Sequence, residues 1–369
     1  MWLSELAADR LRNLKVVRLS LRAGLTVLVG RNGQGKSSIL EAAYLLGTGR
    51  SFRTSRIEEL VSWTGGPLRV AGSVTSRLGT TEIAVLADPG VRSLVVDGRE
   101  VEMEGLLGRL DIVALTAERM QVLRGGPDER RRFLDRGVIG LEPAFLRVLG
   151  RYRRLVLERN ALLRAAAHRR PAEDELAAWD ERVVAAGTDV HRGRREYTAR
   201  LAARMGEVSR LLFPDSPGLT LRYRPSPTEA AEADPADFAA VFATAITRGR
   251  RRDLAIGHTC RGPHRDDLTV ELDGVDLRQT GSAGQVRSAM VGLKLGKLSL
   301  LRERRSEVPV FLMDDFDSDL DEVRLRAVAE HLSGGGIQAL VATSKASMAE
   351  RLEVSATRVL VEEGLARLA

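Results

Sequence analysis

Gly30-Arg31-Asn32-Gly33-Gln34-Gly35-Lys36-Ser37 fits G-x-x-x-x-G-K-[ST] at every fixed position. The apolar stretch Leu25-Thr26-Val27-Leu28-Val29 runs into it, and a helical stretch, Ser38–Leu46, leaves it and ends at Gly47. A strand that curls through glycines into a helix points successive backbone N–H groups at phosphate oxygens, and the helix N-terminus adds its positive end. In that geometry Lys36 reaches the β- and γ-phosphates and the Ser37 hydroxyl ligates Mg²⁺. The residues from Gly30 to Ser38 therefore predict a nucleotide site on an α/β scaffold.

Such a loop needs an acidic partner for the metal at the end of a second strand. Val308-Pro309-Val310-Phe311-Leu312-Met313-Asp314-Asp315 delivers two adjacent carboxylates on an apolar run. Neighbouring side chains of a strand point to opposite faces, so the two aspartates are expected to differ in role. Asp314 would hold Mg²⁺ directly or through water, and Asp315 would face the γ-phosphate and polarise the attacking water. Upstream, Gly281-Ser282-Ala283-Gly284-Gln285-Val286-Arg287 opens a helical stretch reaching about Leu301. Ser282 and the backbone of Ala283–Gln285 can bind a second anion there or simply cap the helix.

Outward from these motifs, the chain changes texture twice. Short strands are expected at Leu3–Leu11, Val16–Leu21, Leu25–Val29, Leu68–Val74, Thr81–Leu86 and Ser93–Val96, with Asp97-Gly98 as a hairpin turn. Helical spacing takes over from about residue 125, with long helices at Glu142–Ala167 and Ala172–Leu212, broken by Arg170-Pro171 and closed by Phe213-Pro214. Pro225–Pro235 reads as a solvated loop, and strand–helix alternation returns after about residue 255. The order predicts an α/β nucleotide-binding lobe (1–123 plus 255–369) interrupted by a mostly helical, arginine-rich insertion (124–254).

Composition narrows the classes further. The 369 residues are 44% hydrophobic and 29% charged, a folded mix, with no apolar run of the roughly 20 residues a membrane span requires. The single cysteine, Cys260, excludes an intrachain disulfide and a cysteine-cluster zinc site. No secretory signal opens the sequence, so a cytoplasmic protein is expected. The formal charge of +7 permits a polyanionic partner, but only five of the 57 basic residues are lysines, a bias that base composition alone can produce.

Read together, these strings resemble the ATP-binding-cassette ATPases and, within them, the RecF family of recombinational DNA repair. The likeness spans nearly the whole chain. It rests on Leu11-Arg12-Asn13, Gly30–Leu46, Ser51-Phe52-Arg53, Gly125–Asp135, Glu158–Leu163, Gly262–Leu268, Gly281–Leu295 and Met313–Arg324. The strings around Arg130–Asp135 and Gly262–Asp267 are far more family-specific than the phosphate loop. The resemblance implies ATP and Mg²⁺ as ligands. It makes Ser282-Ala283-Gly284-Gln285 the signature motif, with Ser282, Gly284 and Gln285 meeting the nucleotide of another subunit in an ATP-dependent homodimer. It also makes Asp314 the Walker B aspartate, Asp315 the catalytic carboxylate, and Ser318-Asp319-Leu320-Asp321 the D-loop. Thr343 or Ser344 stands at the switch position, without the histidine of other branches, and Gln121 or Glu118 at the glutamine lever. Ser37 replaces the usual threonine and keeps its hydroxyl. Weak DNA-stimulated ATP hydrolysis, loading of repair machinery at gaps, and the partner proteins RecO and RecR are implied as well.

On the inserted helices, arginine clusters can line a groove for duplex phosphates, with Arg130, Arg131, Arg151, Arg154, Arg194 and Arg195 as candidates. Aromatic residues are only 4% of the chain, which disfavours a base-stacking platform for single strands. Two other readings fit less of the sequence. A transporter motor does not explain the basic insertion, and a small-molecule phosphotransferase leaves the signature without a purpose. Residues 38–309 leave no room for the heptad arms of a full SMC protein.

Overall fold

Alternating apolar residues build an antiparallel sheet in this protein, and unbroken apolar runs build a parallel one. The computed structural model describes residues 1–54, 56–62, 65–88, 91–116, 121–166, 172–214, 218–231, 234–305, 307–316, 318–334, 336–345 and 354–369. The chain divides into a first unit, Met1–Met120, Arg204–Pro217 and Gly281–Ala369, and a second, Gln121–Ala203 and Gly218–Thr280.

The first unit opens with β1 (Trp2–Asp9), β2 (Val16–Ser20), β3 (Leu25–Val29) and α1 (Lys36–Thr48). It continues through β4 (Leu68–Ser76), β5 (Gly79–Asp88), β6 (Val91–Val96), β7 (Arg99–Val101), α2 (Met103–Leu106) and β8 (Ile112–Leu115). The second unit holds α3 (Gln121–Arg124), α4 (Pro127–Leu141), α5 (Phe145–Ala165), most of α6 (Glu173–Leu212), β9 (Leu219–Arg224), α7 (Phe238–Ile256), β10 (Asp267–Leu272), β11 (Val275–Asp276) and α8 (Leu277–Thr280). The chain then completes the first unit with α9 (Ala283–Arg305), β12 (Val310–Met313), α10 (Glu322–Gly334), β13 (Ala339–Thr343), β14 (Ala356–Glu362) and β15 (Leu365–Leu368).

One sheet of the first unit is antiparallel, ordered β2-β1-β4-β5-β6-β7; the other is ordered β15-β14-β3-β13-β12-β8 and is parallel except for β15. Helix α1 packs on strands of both sheets, and its apolar SILEAAYLLG segment is buried on every side. The pairings Val29↔Thr343 and Val341↔Met313 place the carboxyl ends of β3, β13 and β12 along one sheet edge. The phosphate loop, Thr343-Ser344 and Asp314-Asp315 all leave that edge, where open α/β sheets bind ligands.

Several boundaries move from those expected. Helix α1 passes Gly47 and ends at Gly49, whose φ of 61° closes the last turn. Residues 255–280 belong to the second unit, because β10 pairs antiparallel with β9 across some fifty intervening positions (Leu268↔Tyr223). Residues 204–217 belong to the first. The second unit is thus helical around a three-stranded sheet ordered β11-β10-β9. The Pro225–Pro235 stretch is only partly solvated: Pro225, Pro227 and Ala230 are buried, and the Ser226 N–H donates to the Asp266 carboxylate. The Arg170-Pro171 break lies outside the described residues.

Candidate nucleotide site

A cleft of about 950 Å³ opens beside the phosphate loop, lined by Asn32, Gly33, Gly35, Lys36, Ser37 and Ser38, with Arg12, Asn13, Arg53 and Asp315 among the facing residues. Lys36 is 6% exposed, and its ammonium donates to the carbonyls of Gly30 (2.7 Å) and Arg31 (3.0 Å). Gly35 caps the N-terminus of α1 with φ 113°, so the first N–H groups of a 13-residue helix open toward the cleft. Gln34 points elsewhere, its side-chain oxygen accepting from the Glu363 N–H.

The two aspartates separate as strand geometry requires. Asp314 is buried beside Ser37, while Asp315 is exposed at the cleft with φ 46°. Burial pushes the Asp314 carboxyl above its ordinary range, the Ser37 hydroxyl works against that rise, and the neighbouring Asp315 charge adds to it. Thr343 is buried at the end of β13, its carbonyl accepting from Gly30 N–H and its hydroxyl from Lys345 N–H, whereas Ser344 is exposed. Of the glutamine-lever candidates, Glu118 lies outside the described residues, and Gln121 begins α3.

The signature residues stand apart from this cleft. Ser282 and Gln285 form a reciprocal capping box at the start of α9: Ser282 N–H donates to the Gln285 side chain (2.9 Å), and Gln285 N–H to the Ser282 hydroxyl (3.3 Å). A Cβ placed on Gly284 would lie 3.4 Å from the carbonyl of Asp319, so the signature turn and the D-loop touch within one chain.

Three supporting residues escaped the motif reading. Asn13 donates to the Gly33 carbonyl (2.7 Å) and accepts from the Ser38 hydroxyl (2.8 Å), bracing the loop from outside. Arg12 grips the fully buried Glu41 of α1 with two parallel bonds of 2.8 and 2.9 Å. Arg287, buried on α9, donates to the carbonyls of Asp314 (3.0 Å) and Asp315 (2.8 Å), fixing the turn that carries both carboxylates. Each sits in a quoted string, yet only the fold supplies its partner.

The arginines proposed for DNA divide sharply. Arg130 is buried, bound to both carboxylate oxygens of Asp267 and to the Gly125 carbonyl. Arg194 is buried between Asp135 and Asp266; burial opposes its charge, but the two carboxylates overcome that and raise its pKa. Neither faces solvent, which removes both from the DNA candidates: their acidic partners lie far away in sequence, where helical spacing cannot reveal them. Arg131 is mostly covered and tied to Asp128 and the Asp266 carbonyl, and Arg195 is half-buried. Arg151 and Arg154 are exposed on α5, with no acidic partner among the described residues.

Comparison with known proteins agrees with this geometry. The family model described as "RecF/RecN/SMC N terminal domain" matches residues 2–366. The DNA replication and repair protein RecF of Myxococcus xanthus (strain DK1622) is 37% identical over 344 residues, covering 91% of this chain and 89% of that one. A solved structure of the recombination mediator protein RecF-ATP of the RecFOR pathway superposes with a TM-score of 0.89 at 29% identity, covering 100% of this chain and 97% of its own. An SmcHead bound to the C-winged helix domain of ScpA shares the fold at a TM-score of 0.57 and 17% identity, with 100% and 97% of the two chains covered. The chain belongs to the RecF family of DNA replication and repair proteins within the ABC-type, SMC-like ATPases.

Proposed function

We propose that this protein is an ATP-switched DNA-binding protein of recombinational repair: its cleft takes Mg²⁺-ATP, two copies close over the nucleotide, and the closed pair grips duplex DNA near single-strand gaps. The observation that carries the reading is the convergence of Lys36, Ser37, the α1 N-terminus and Asp315 on one cleft, with the buried Asp314 carboxylate beside Ser37. A hydroxyl beside a carboxylate is a hard oxygen pair of the kind Mg²⁺ prefers, so the donor set fits the metal. Bound there, Mg²⁺ would neutralise charge on the β- and γ-phosphate oxygens during phosphoryl transfer to water.

The chain's own residues do the remaining work. Lys36 transfers its donors from the loop carbonyls to phosphate oxygens, and the exposed Asp315 accepts a hydrogen bond from the attacking water. Ser282, Gly284 and Gln285 of a second copy seal the γ-phosphate in trans, so the triphosphate favours the closed pair and hydrolysis releases it. The first unit acts as the ATP-binding lobe. The second supplies DNA contacts through Arg151 and Arg154, with Arg131 and Arg195 beside them as weaker candidates. The family further supports RecO and RecR as partners and a cytoplasmic location; among the described residues no helix is long and apolar enough to cross a membrane.

A DNA-dependent ATPase assay with Lys36→Met across salt concentrations tests the proposal. Turnover stimulated by duplex, lost in the variant, and weakening as salt rises is the expected result. Turnover that ignores DNA and follows a small metabolite would replace it with a phosphotransferase.

A further inference from the structure

Two segments far apart in sequence pack against each other and against the phosphate loop. One carries Asn13, holding Gly33 and Ser38. The other is the two-residue turn Glu363-Gly364 that joins β14 to β15. The Glu363 N–H donates to the Gln34 side-chain oxygen (2.5 Å), and the Gly364 N–H donates to the Gln34 carbonyl (3.1 Å). The Gly364 carbonyl in turn accepts from Lys15 N–H (3.2 Å). The fit is close: a Cβ on Gly364 would lie 2.2 Å from the Asn13 carbonyl oxygen, and one on Gly30 would lie 2.2 Å from the Val361 carbonyl oxygen.

The geometry points to the Glu363-Gly364 turn as a positioning element of the nucleotide site, one that sets how tightly the phosphate loop grips a triphosphate. The inference rests on the nucleotide reading above. Between β3 and α1 the loop has no strand or helix to hold its shape, so its cradle is fixed by what leans on it. A loop already held in its bound conformation loses less freedom when ligand enters. Gln34 is the grip point, since its main-chain carbonyl and side-chain oxygen both accept from the turn, a linkage that uses none of the loop's N–H groups.

The same protein contains a matched control. The β6–β7 turn, Asp97-Gly98, has φ values of 49° and 76°, against 50° and 76° for Glu363-Gly364. A Cβ on Gly98 meets nothing within 4 Å. Gly98→Ala and Gly364→Ala therefore impose the same left-handed backbone strain, and only the second pushes on the loop assembly.

The test is a titration of the full chain with a fluorescent ATP analogue and Mg²⁺, with thermal melting alongside. Gly364→Ala should weaken binding about tenfold, and Gly98→Ala by less than about twofold. Gln34→Ala should weaken it too, and the double variant with Gly364→Ala should lose little beyond the worse single, within about twofold, because both break one linkage. Should Gly364→Ala fail to fold, hydrogen exchange on the unmodified protein decides. Linkage is reciprocal, so bound nucleotide should slow exchange of the Glu363 and Gly364 amides about tenfold. Equal affinities for the two glycine variants, or exchange at those amides indifferent to nucleotide, would overturn the positioning role while leaving the nucleotide site standing. A folded wild type that does not take up the analogue would instead overturn the nucleotide reading, and this inference with it.

Discussion

The two units gather charge in opposite ways. In the second unit, Arg159 is fully buried and bound to Asp180 (2.7 Å), Asp253 (2.7 Å) and Thr259 (2.8 Å); Arg194 is held by Asp135 and Asp266. Those charges answer one another and bind helices α4–α7 to the turn before β10. In the first unit, Lys36 donates to loop carbonyls at the wall of the cleft that Arg53 and Asp315 also line, with Asp314 buried beside it. An arrangement closed on itself holds a fold together, whereas charges of both signs gathered along an open cleft are set up for a ligand. Basic residues in the sequence look alike in both settings, and only their partners tell them apart.

The sharpest way to break this contrast is to remove one member from each side. Arg159→Met takes the buried cation from Asp253 and leaves Asp180 with Arg250 alone, and should cost about 3–5 kcal/mol in denaturant unfolding. Lys36→Met should change stability by less than about 1 kcal/mol while abolishing turnover. Similar stability losses for the two would erase the distinction.

Acid provides the next largest effect. His264 offers Nε2–H to the Thr259 carbonyl, since that oxygen can only accept, and Nδ1 accepts from the Tyr152 hydroxyl (2.7 Å). His191 stacks on Phe238 with ring centroids 3.6 Å apart. Burial, helped by nearby arginines, lowers both imidazoles from 6.5 to about 4. Below pH 6.5 the unfolded chain binds protons the folded one refuses, so stability is fully present above that pH and falls as pH drops toward 4. Each histidine contributes up to about 3 kcal/mol of that loss, and His264→Gln should flatten the pH dependence measured by urea unfolding. A stability profile flat between pH 7 and 4 would contradict the assignment.

The smallest effect on folding belongs to the exposed arginines. Arg151→Glu with Arg154→Glu should shift stability by less than about 0.5 kcal/mol. The same variant should weaken duplex binding and lower the salt slope by about 2. Unchanged DNA affinity would move the contact surface off α5.

Much of this could be read from residues alone, for physical reasons that also explain the failures. The glycine-lysine loop, its apolar strand and the aspartate pair are local patterns, so periodicity and spacing suffice to locate them. Asn13, Arg287 and the Glu363-Gly364 turn act on that loop and on the strand that carries the aspartates through contacts made only when distant segments meet. The same holds for β9, whose pairing with β10 moved a boundary, and for Arg130 and Arg194, whose carboxylate partners are supplied by other elements. Ser282 shows the limit from the other side: its capping bond with Gln285 satisfies the local pattern by itself, and any role toward nucleotide needs a second copy.

In the proposed function the oxygens of Ser37 and Asp314 serve a magnesium-bound triphosphate. Equilibrium binding of an ATP analogue, measured with and without Mg²⁺ in the wild type and in Asp314→Asn, addresses it most directly. Magnesium should tighten wild-type binding about tenfold or more, and the variant should keep the metal-free affinity but lose that increment. An increment of the same size in both proteins would contradict the assignment.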